Sequence, residues 1–312
     1  MAGAAVLLGC SGGADSDGDP ELTTTSNPTP TPTPTTEATT DRTYEVGLET
    51  LTVIDPSRET PAVEAAALSA QPTRSIGLLV LFPAEGRDPA DGPFPLVVFA
   101  HGWNGLGENF VEVGQRWAAA GYVVALPTFP LSRQGIAYSD DYLNQPADIS
   151  FVIDELIAET GELAGLVDGE LVAVGGHSLG SATVFRTAYN ACCVDERVDA
   201  TFPVSGGPLD LGQGGYESWR QTPMLLVHGA ADPFVPVEIG DAVFEFAEVP
   251  SRYLRMASAD HNSVFTDANG ELFADAVLLF LDATLGDDPE AFDALADLVE
   301  GSGIAELRVR AG

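Results

Sequence analysis

The fold of this 312-residue chain follows from one stretch, Leu171-Val172-Ala173-Val174-Gly175-Gly176-His177-Ser178-Leu179-Gly180. Its four leading apolar residues, two of them β-branched, predict a short strand that is buried on both faces. They lead into Gly-x-Ser-x-Gly at Gly176, Ser178 and Gly180, and residues 182–190 predict a helix. Strand, tight turn and helix around this motif indicate a nucleophile elbow, which holds a serine hydroxyl above the sheet. The alternative is a glycine-rich turn without chemistry, since the chain has 33 glycines.

The composition is that of a globular and strongly acidic protein. Hydrophobic residues make up 45% of the chain, and 47 acidic residues against 13 basic ones give a net charge of −34. All 13 basic residues are arginine. Such a surface repels polyanions, so we expect neither a nucleic-acid partner nor binding to an anionic membrane surface. We interpret the charge as a source of solubility rather than as an acidic binding face, and we expect a monomer.

The first 42 residues differ from the rest of the chain. Residues 1–10, MAGAAVLLGC, resemble a bacterial lipobox, in which the cysteine, here Cys10, carries the lipid. Residues 11–42 are rich in Ser, Gly, Asp, Thr and Pro and predict a disordered tether. The short segment 1–10 lacks the positive start of a signal peptide, so we expect it to be truncated. We therefore predict a catalytic domain over 43–312, exported to the bacterial cell surface or secreted; the alternative is a tail without function.

The other two cysteines, Cys192 and Cys193, are adjacent. Neighbouring Cα atoms lie about 3.8 Å apart, which is shorter than the usual disulfide span, so we expect two free thiols. The spacing of Cys and His residues does not indicate a zinc site. We expect neither a metal nor a cofactor.

Short apolar runs alternate with helical patterns over the rest of the chain. The predicted strands cover residues 44–54, 74–82, 95–100, 122–126, 171–174, 198–204, 223–227 and 252–257, and the predicted helices cover 108–120, 146–159, 182–190, 237–247 and 270–285. This alternation predicts an α/β fold, doubly wound, with a mostly parallel sheet of about eight strands. Loops that follow parallel strands converge at one edge of the sheet, where ligands bind. Residues 286–312 are acidic and partly helical, and the sequence assigns them no role.

A serine nucleophile needs a base, and the chain has only four histidines. We expect His177, beside Ser178, to point elsewhere, and His101 and His228 to lie at strand ends. His261, in a loop after the last predicted strand, is our candidate for the base; the alternative is a surface histidine.

The acid that orients the base is expected after a strand between the serine and the histidine. Asp232 fits this position, and Asp210, one strand earlier, is the alternative. For the oxyanion hole we predict the backbone N–H groups of Leu179 and Trp103, because Gly102 lets the loop after residues 95–100 come close. We expect three residues to contact the substrate: Trp103, His177 and Phe234.

These motifs resemble those of the α/β-hydrolase superfamily. Residues 95–105, 176–180 and 229–236 and the late His261 look like the branch of dienelactone-hydrolase-like esterases, chlorophyllases, platelet-activating-factor acetylhydrolases and cutinase-like polyester hydrolases. The resemblance covers about residues 43–285. In the polyester hydrolases the elbow reads Gly-His-Ser-Met-Gly-Gly, whereas Leu179 and Ser181 stand here. Ser178 is also unlike the cysteine nucleophile of dienelactone hydrolases.

The resemblance implies a cofactor-free serine carboxylesterase or lipase with the triad Ser178, Asp232 and His261. Its substrate would be a small-molecule, lipid or polymer ester, and a membrane would be approached only through the possible lipid at Cys10. Three alternatives remain: a cutinase-like polyester hydrolase, an amidase or peptidase with the same triad, and an inactive binding module with a hydrolase fold.

Overall fold

A ten-stranded sheet forms the centre of the protein. The structure, a computed structural model, describes residues 43–159, 161–209, 214–216 and 221–310. The predicted signal segment with Cys10, the predicted tether 11–42 and the alternative acid Asp210 lie outside these residues.

The secondary structure alternates between strands and helices along most of the chain. The strands are β1 (Glu45–Asp55), β2 (Arg74–Glu85), β3 (Asp88–Pro89), β4 (Phe94–Ala100), β5 (Val123–Thr128), β6 (Val167–His177), β7 (Val198–Val204), β8 (Met224–Gly229), β9 (Ser251–Met256) and β10 (Ala305–Arg310). The helices are α1 (Val111–Ala119), α2 (Gln145–Ile157), α3 (Leu179–Tyr189), α4 (Val237–Phe246), α5 (Asp267–Thr284) and α6 (Ala291–Ser302).

The strand order is β1-β2-β5-β4-β6-β7-β8-β9-β10, with β3 paired to β2 outside this path. Strands β5, β4, β6, β7, β8 and β9 run parallel to one another, whereas β2 and β10 join this block in antiparallel pairs. The predicted α/β class with a doubly wound, mostly parallel sheet is therefore confirmed. The sheet has ten strands where about eight were predicted, because the sequence did not indicate β3 and β10.

Helices cover the sheet on both faces. Buried residues of α2, α3 and α4 belong to one core, and buried residues of α1, α5 and α6 belong to the other. The elbow strand contributes to both, because Val172 and Val174 face the first core while Ala173 faces the second. A strand buried on both faces must be apolar at every position, which explains the continuous run that begins at Leu171.

The C-terminal residues, to which the sequence assigned no role, form α6 and the edge strand β10. Leu295 and Val299 of α6 are buried in the second core. Strand β10 pairs antiparallel with β9 from Ala305 to Arg310. Its alternating charged residues leave it half exposed at the rim, so it lacks the apolar signature of the central strands.

Two predicted strand ends are too early, because β2 and β5 both continue past a proline. Pro83 is paired with Val46, and Pro127 is paired with Leu78, both in antiparallel ladders. Proline lacks only the N–H group, and alternate positions of an antiparallel ladder do not need that donor.

The prediction of free thiols is also wrong: Cys192 and Cys193 form a disulfide in the turn after α3. Adjacent residues here bring their sulfurs together although their Cα atoms are 3.8 Å apart. The Asn190 side chain accepts a hydrogen bond from the Cys192 N–H at 2.9 Å and holds this turn. The guanidinium of Arg186 lies 3.2 and 3.3 Å from the two sulfurs.

Candidate active site

Ser178 occupies a strained turn between β6 and α3. Its backbone has φ +57° and ψ −116°, a conformation that costs energy for any residue with a side chain. The Ser178 N–H donates to the Val204 carbonyl of β7 at 2.9 Å, which fixes the turn to the neighbouring strand. A side chain at Gly180 would collide with the carbonyl of Ala100, and one at Gly176 would collide with the backbone of Gly180. The two glycines of the motif are therefore required by the close crossing of strand and helix.

The elbow lies where the order of strands reverses. From β4 the chain adds β5 on one side of it and β6 on the other, so the loops that follow β4 and β6 open beside each other. Open α/β sheets bind ligands in such a crevice. A methyl group built on Gly102 would lie 3.0 Å from Cβ of Ser178. The loop after β4 thus approaches the candidate nucleophile as closely as a residue without a side chain allows.

The structure pairs the predicted acid with the predicted base. Nδ1 of His261 lies 2.7 Å from Oδ2 of Asp232, although the two residues are 29 positions apart in the chain. The side chain of Asp232 is buried, whereas that of His261 is 11% exposed and faces the pocket that Ser178 lines. Among the described residues, Ser178 Oγ makes no hydrogen bond with His261. The acid and base are therefore joined directly, and the serine shares the pocket with the base.

Two backbone N–H groups fix the carboxylate of Asp232. Oδ1 accepts hydrogen bonds from the N–H of Phe234 at 2.8 Å and from that of Val235 at 2.9 Å. Oδ2 is left to bind His261, and Nε2 of the buried His228 lies 3.6 Å from this same oxygen. His228 donates its Nε2 hydrogen to the Val235 carbonyl at 2.9 Å. Burial lowers the pKa of His228.

The other two histidines, His101 and His177, are also buried and hydrogen-bonded. His101 accepts a hydrogen bond from the Phe129 N–H at 3.0 Å, and burial lowers its pKa to about 4. Burial, with a smaller contribution from neighbouring His261, lowers the pKa of His177 to about 3. Nε2 of His177 lies 2.8 Å from the carbonyl oxygen of His261. The expectation that His177 points away from Ser178 missed this contact, which the sequence does not signal.

The two predicted oxyanion donors border the elbow. Leu179 is the first residue of α3, and Trp103 follows Gly102 in the loop after β4. Within the described chain, neither the Leu179 N–H nor the Trp103 N–H has a hydrogen-bond acceptor. The Trp103 ring is fixed by its Nε1–H, which donates to the Ala137 carbonyl at 2.6 Å.

Ser178 and His261 line a cavity of about 640 Å³. Its walls combine aromatic rings with polar side chains, and its predicted members are Trp103, His177 and Phe234. Trp103 and Phe234 are 56% and 74% exposed, and the Phe234 ring centre lies 5.4 Å from that of His261. Sequence reasoning missed the further lining residues Asn104, Asn109, Phe110, Glu112, Asn262, Phe265 and Thr266. Asn104 and Asn262 are adjacent to predicted residues, whereas the others lie several positions away and carry no signal of their own in the sequence.

Two other kinds of site are absent from the described residues. No group of three or more His, Cys, Asp or Glu side chains in the described ranges is arranged to hold a metal ion. None of the helices in this part of the protein has both the length and the apolar character needed to cross a bilayer.

Comparison with curated proteins gives distant relatives without an assigned function. The chain is 26% identical over 159 residues to the uncharacterized protein YfhR of Salmonella typhimurium strain LT2, which covers 46% of this chain and 52% of that protein. It is 28% identical over 82 residues to YfhR of Escherichia coli strain K12, which covers 25% and 29% of the two chains. The chain thus spans about half or less of the curated relatives it matches, and no family model matches it.

Solved structures give a longer match. A ferulic acid esterase from Streptomyces cinnamoneus superposes with a TM-score of 0.63 at 18% identity, covering 78% of this chain and 91% of the esterase. At that identity the likeness concerns the fold. The sheet order and this superposition show that the chain shares its α/β fold, with a mostly parallel sheet, with that solved structure.

Proposed function

We propose that the protein is a serine hydrolase that cleaves carboxylic esters, with Ser178 as nucleophile, His261 as base and Asp232 as the orienting acid. The observation that carries this proposal is the 2.7 Å bond from buried Asp232 to His261, which lines the same pocket as the strained Ser178. A serine hydroxyl becomes nucleophilic only when a base accepts its proton, and the base works only in one tautomer.

The first half of the reaction forms an acyl-enzyme. His261 donates its Nδ1 hydrogen to Asp232, so Nε2 is unprotonated and can accept the proton of Ser178 while Oγ attacks the ester carbon. The carbonyl oxygen gains negative charge, and the N–H groups of Trp103 and Leu179 stabilise it. His261 then returns the proton to the departing alcohol. The missing Ser178–His261 hydrogen bond is compatible with this step, since catalytic hydrogen bonds often shorten only when substrate binds.

In the second half, His261 removes a proton from water, which attacks the acyl carbon; the bond to Ser178 Oγ breaks, His261 returns the proton to Oγ, and the acid is released. The aromatic walls formed by Trp103, Phe110, Phe234 and Phe265 favour an uncharged, apolar acyl or alcohol group. Glu112 is the one carboxylate among the described residues that line the pocket, and the net charge of the chain is −34. Both disfavour anionic esters. We include the cleavage of polyesters in this proposal, because the sequence motifs resemble those of polyester hydrolases.

Labelling with a fluorophosphonate probe tests the proposal directly. We expect the wild-type chain and Ser181→Ala to react and Ser178→Ala to stay unlabelled. Ser181 is a matched control because it is buried one turn further along α3 and does not line the pocket. A wild-type chain that does not react would refute catalysis and favour a binding module with this fold.

Substrate profiling separates the remaining possibilities. p-Nitrophenyl esters of increasing acyl length should be hydrolysed, whereas the matching p-nitroanilides should react far more slowly. Faster cleavage of the anilides would assign the triad to an amidase or peptidase. Release of soluble products from a polyester film would extend the proposal to polymers.

A further inference from the structure

We propose that His177 is a positioning residue that holds the loop of the catalytic base in place through its hydrogen bond to the His261 carbonyl. This inference rests on the proposed function, in which His261 is the base. The expected contact of His177 with substrate stays a separate prediction, since His177 also lines the pocket.

The geometry of His177 supports a hydrogen bond with one direction. A carbonyl oxygen can only accept, so Nε2 of His177 carries the hydrogen that points to the His261 oxygen at 2.8 Å. Burial keeps His177 neutral, because its pKa is lowered to about 3. The ring is therefore a fixed donor over the whole range in which a serine hydrolase works.

Packing fixes the orientation of this donor. The His177 ring meets the Phe265 ring edge-on with centres 5.0 Å apart, and it lies 4.6 Å from the ring of His261. Phe110 closes a third side at 6.1 Å. The residue is only 7% exposed, so it offers a substrate little surface although it lies at the wall of the pocket. A ring enclosed in this way can direct its hydrogen without rearranging.

The His261 loop, residues 257–266, has few other attachments near the base. The Ala259 carbonyl accepts from the Ala231 N–H at 2.9 Å, which ties the loop to the turn that carries Asp232. Asp260 accepts from the N–H groups of Asn262 and Ser263, but these bonds lie within the loop itself. Within the described chain, the hydrogen bond from His177 is therefore what connects the backbone of His261 to the elbow.

This hydrogen bond connects the base to the residue that directly precedes the nucleophile. His177 and Ser178 are consecutive, and the strained turn that presents Ser178 is bonded to β7. When His177 holds the His261 carbonyl, the distance between the serine and the base is fixed through this turn as well as through the bonds of the His261 loop to Asp232 and Ala231. A small displacement of a reacting group is enough to lower a rate strongly.

The test compares two substitutions of similar size, His177→Gln and His177→Met. The Gln amide can donate to the His261 carbonyl, whereas the Met side chain fills the same space between the aromatic rings without a donor. On a p-nitrophenyl ester we expect kcat of His177→Met to fall about 10- to 100-fold with KM changed less than about twofold. We expect His177→Gln to recover most of kcat. A raised KM with unchanged kcat, or an equal loss in both variants, would overturn the proposal.

A second readout does not depend on ester cleavage. The His261 Nδ1 hydrogen that is shared with Asp232 should give a far-downfield proton resonance, assigned by its absence from His261→Gln. We expect this resonance in the wild type and in His177→Gln, and its loss by exchange in His177→Met. Its persistence in His177→Met would overturn the positioning role. If the wild type hydrolyses no ester, the proposed function fails, while the resonance still shows whether His177 holds the Asp232–His261 pair.

Discussion

Replacing Asp232 by asparagine should disable the base while leaving the fold intact. In the native chain Oδ1 of Asp232 accepts two backbone N–H groups, from Phe234 and Val235, and Oδ2 accepts the Nδ1 hydrogen of His261. An asparagine has one accepting oxygen and one donating NH₂ group, so its orientation decides the tautomer of His261.

The two backbone donors determine that orientation. If the NH₂ group replaced Oδ1, it would face two N–H groups at 2.8 and 2.9 Å, and both hydrogen bonds would be lost at about 0.5–1.5 kcal/mol each. The amide oxygen therefore keeps the Oδ1 position, and the NH₂ group points to His261 Nδ1. His261 must then carry its hydrogen on Nε2, where it cannot accept the Ser178 proton.

We expect kcat of Asp232→Asn on a p-nitrophenyl ester to fall about 10³- to 10⁴-fold, which corresponds to about 4–5.5 kcal/mol of transition-state stabilisation. The rate of fluorophosphonate labelling should fall with it. Circular dichroism and the thermal unfolding temperature show whether the fold persists in the variant.

Asp260→Asn is the matched control for this substitution. Asp260 is adjacent to His261, and one of its oxygens also accepts two backbone N–H groups, at 2.8 and 3.0 Å. It makes no hydrogen bond with the His261 ring, so the same change there should alter kcat less than about twofold. A kcat of Asp232→Asn within about tenfold of the wild type would refute the assigned acid and direct attention to Asp210. An equal loss in Asp260→Asn would refute the argument from tautomers.

Three further outcomes follow from the structure. Gly180→Ala places a methyl group against the β4 backbone and should lower the free energy of unfolding by about 1–3 kcal/mol in urea titrations. Gly301→Ala adds a methyl group in open space in the last turn of α6 and should raise this free energy by about 0.5–1 kcal/mol. The pKa of His177 is about 3 in the fold against 6.5 ordinarily, so between these values the folded chain binds fewer protons than the unfolded chain. The free energy of unfolding should therefore fall as the pH drops from 6.5 to 3. His177→Met should reduce this pH dependence by up to about 1.4 kcal/mol per pH unit. The Cys192–Cys193 disulfide closes no long loop, so its reduction by dithiothreitol should change the free energy of unfolding by only about 1 kcal/mol. A loss of several kcal/mol would contradict this expectation.

The central part of the fold was predictable because each central strand is buried on both faces. Residues 198–204 match β7 from end to end, because most of its residues are apolar and buried although Asp199 and Thr201 interrupt the run. The edge strand β10 carries charges on alternate residues, and its stability comes partly from contacts that the sequence does not display. The guanidinium of Arg308, for example, lies 4.5 Å from the centre of the Phe244 ring. Such a contact joins residues 64 positions apart and leaves no local pattern.

Proximity in the site was predictable, whereas direction was not. Topology alone requires the loops after β4, β6, β8 and β9 to meet at one edge, so the meeting of Asp232 and His261 follows from where their strands end. The orientation of His177 depends instead on the surrounding rings, above all Phe265, which becomes its neighbour only when the His261 loop folds back over the elbow. A residue next to the nucleophile can face substrate, solvent or the base loop without any change in the sequence motif. The hydrogen bond at 2.8 Å distinguishes these cases, and for this reason the role of His177 could be inferred only from coordinates.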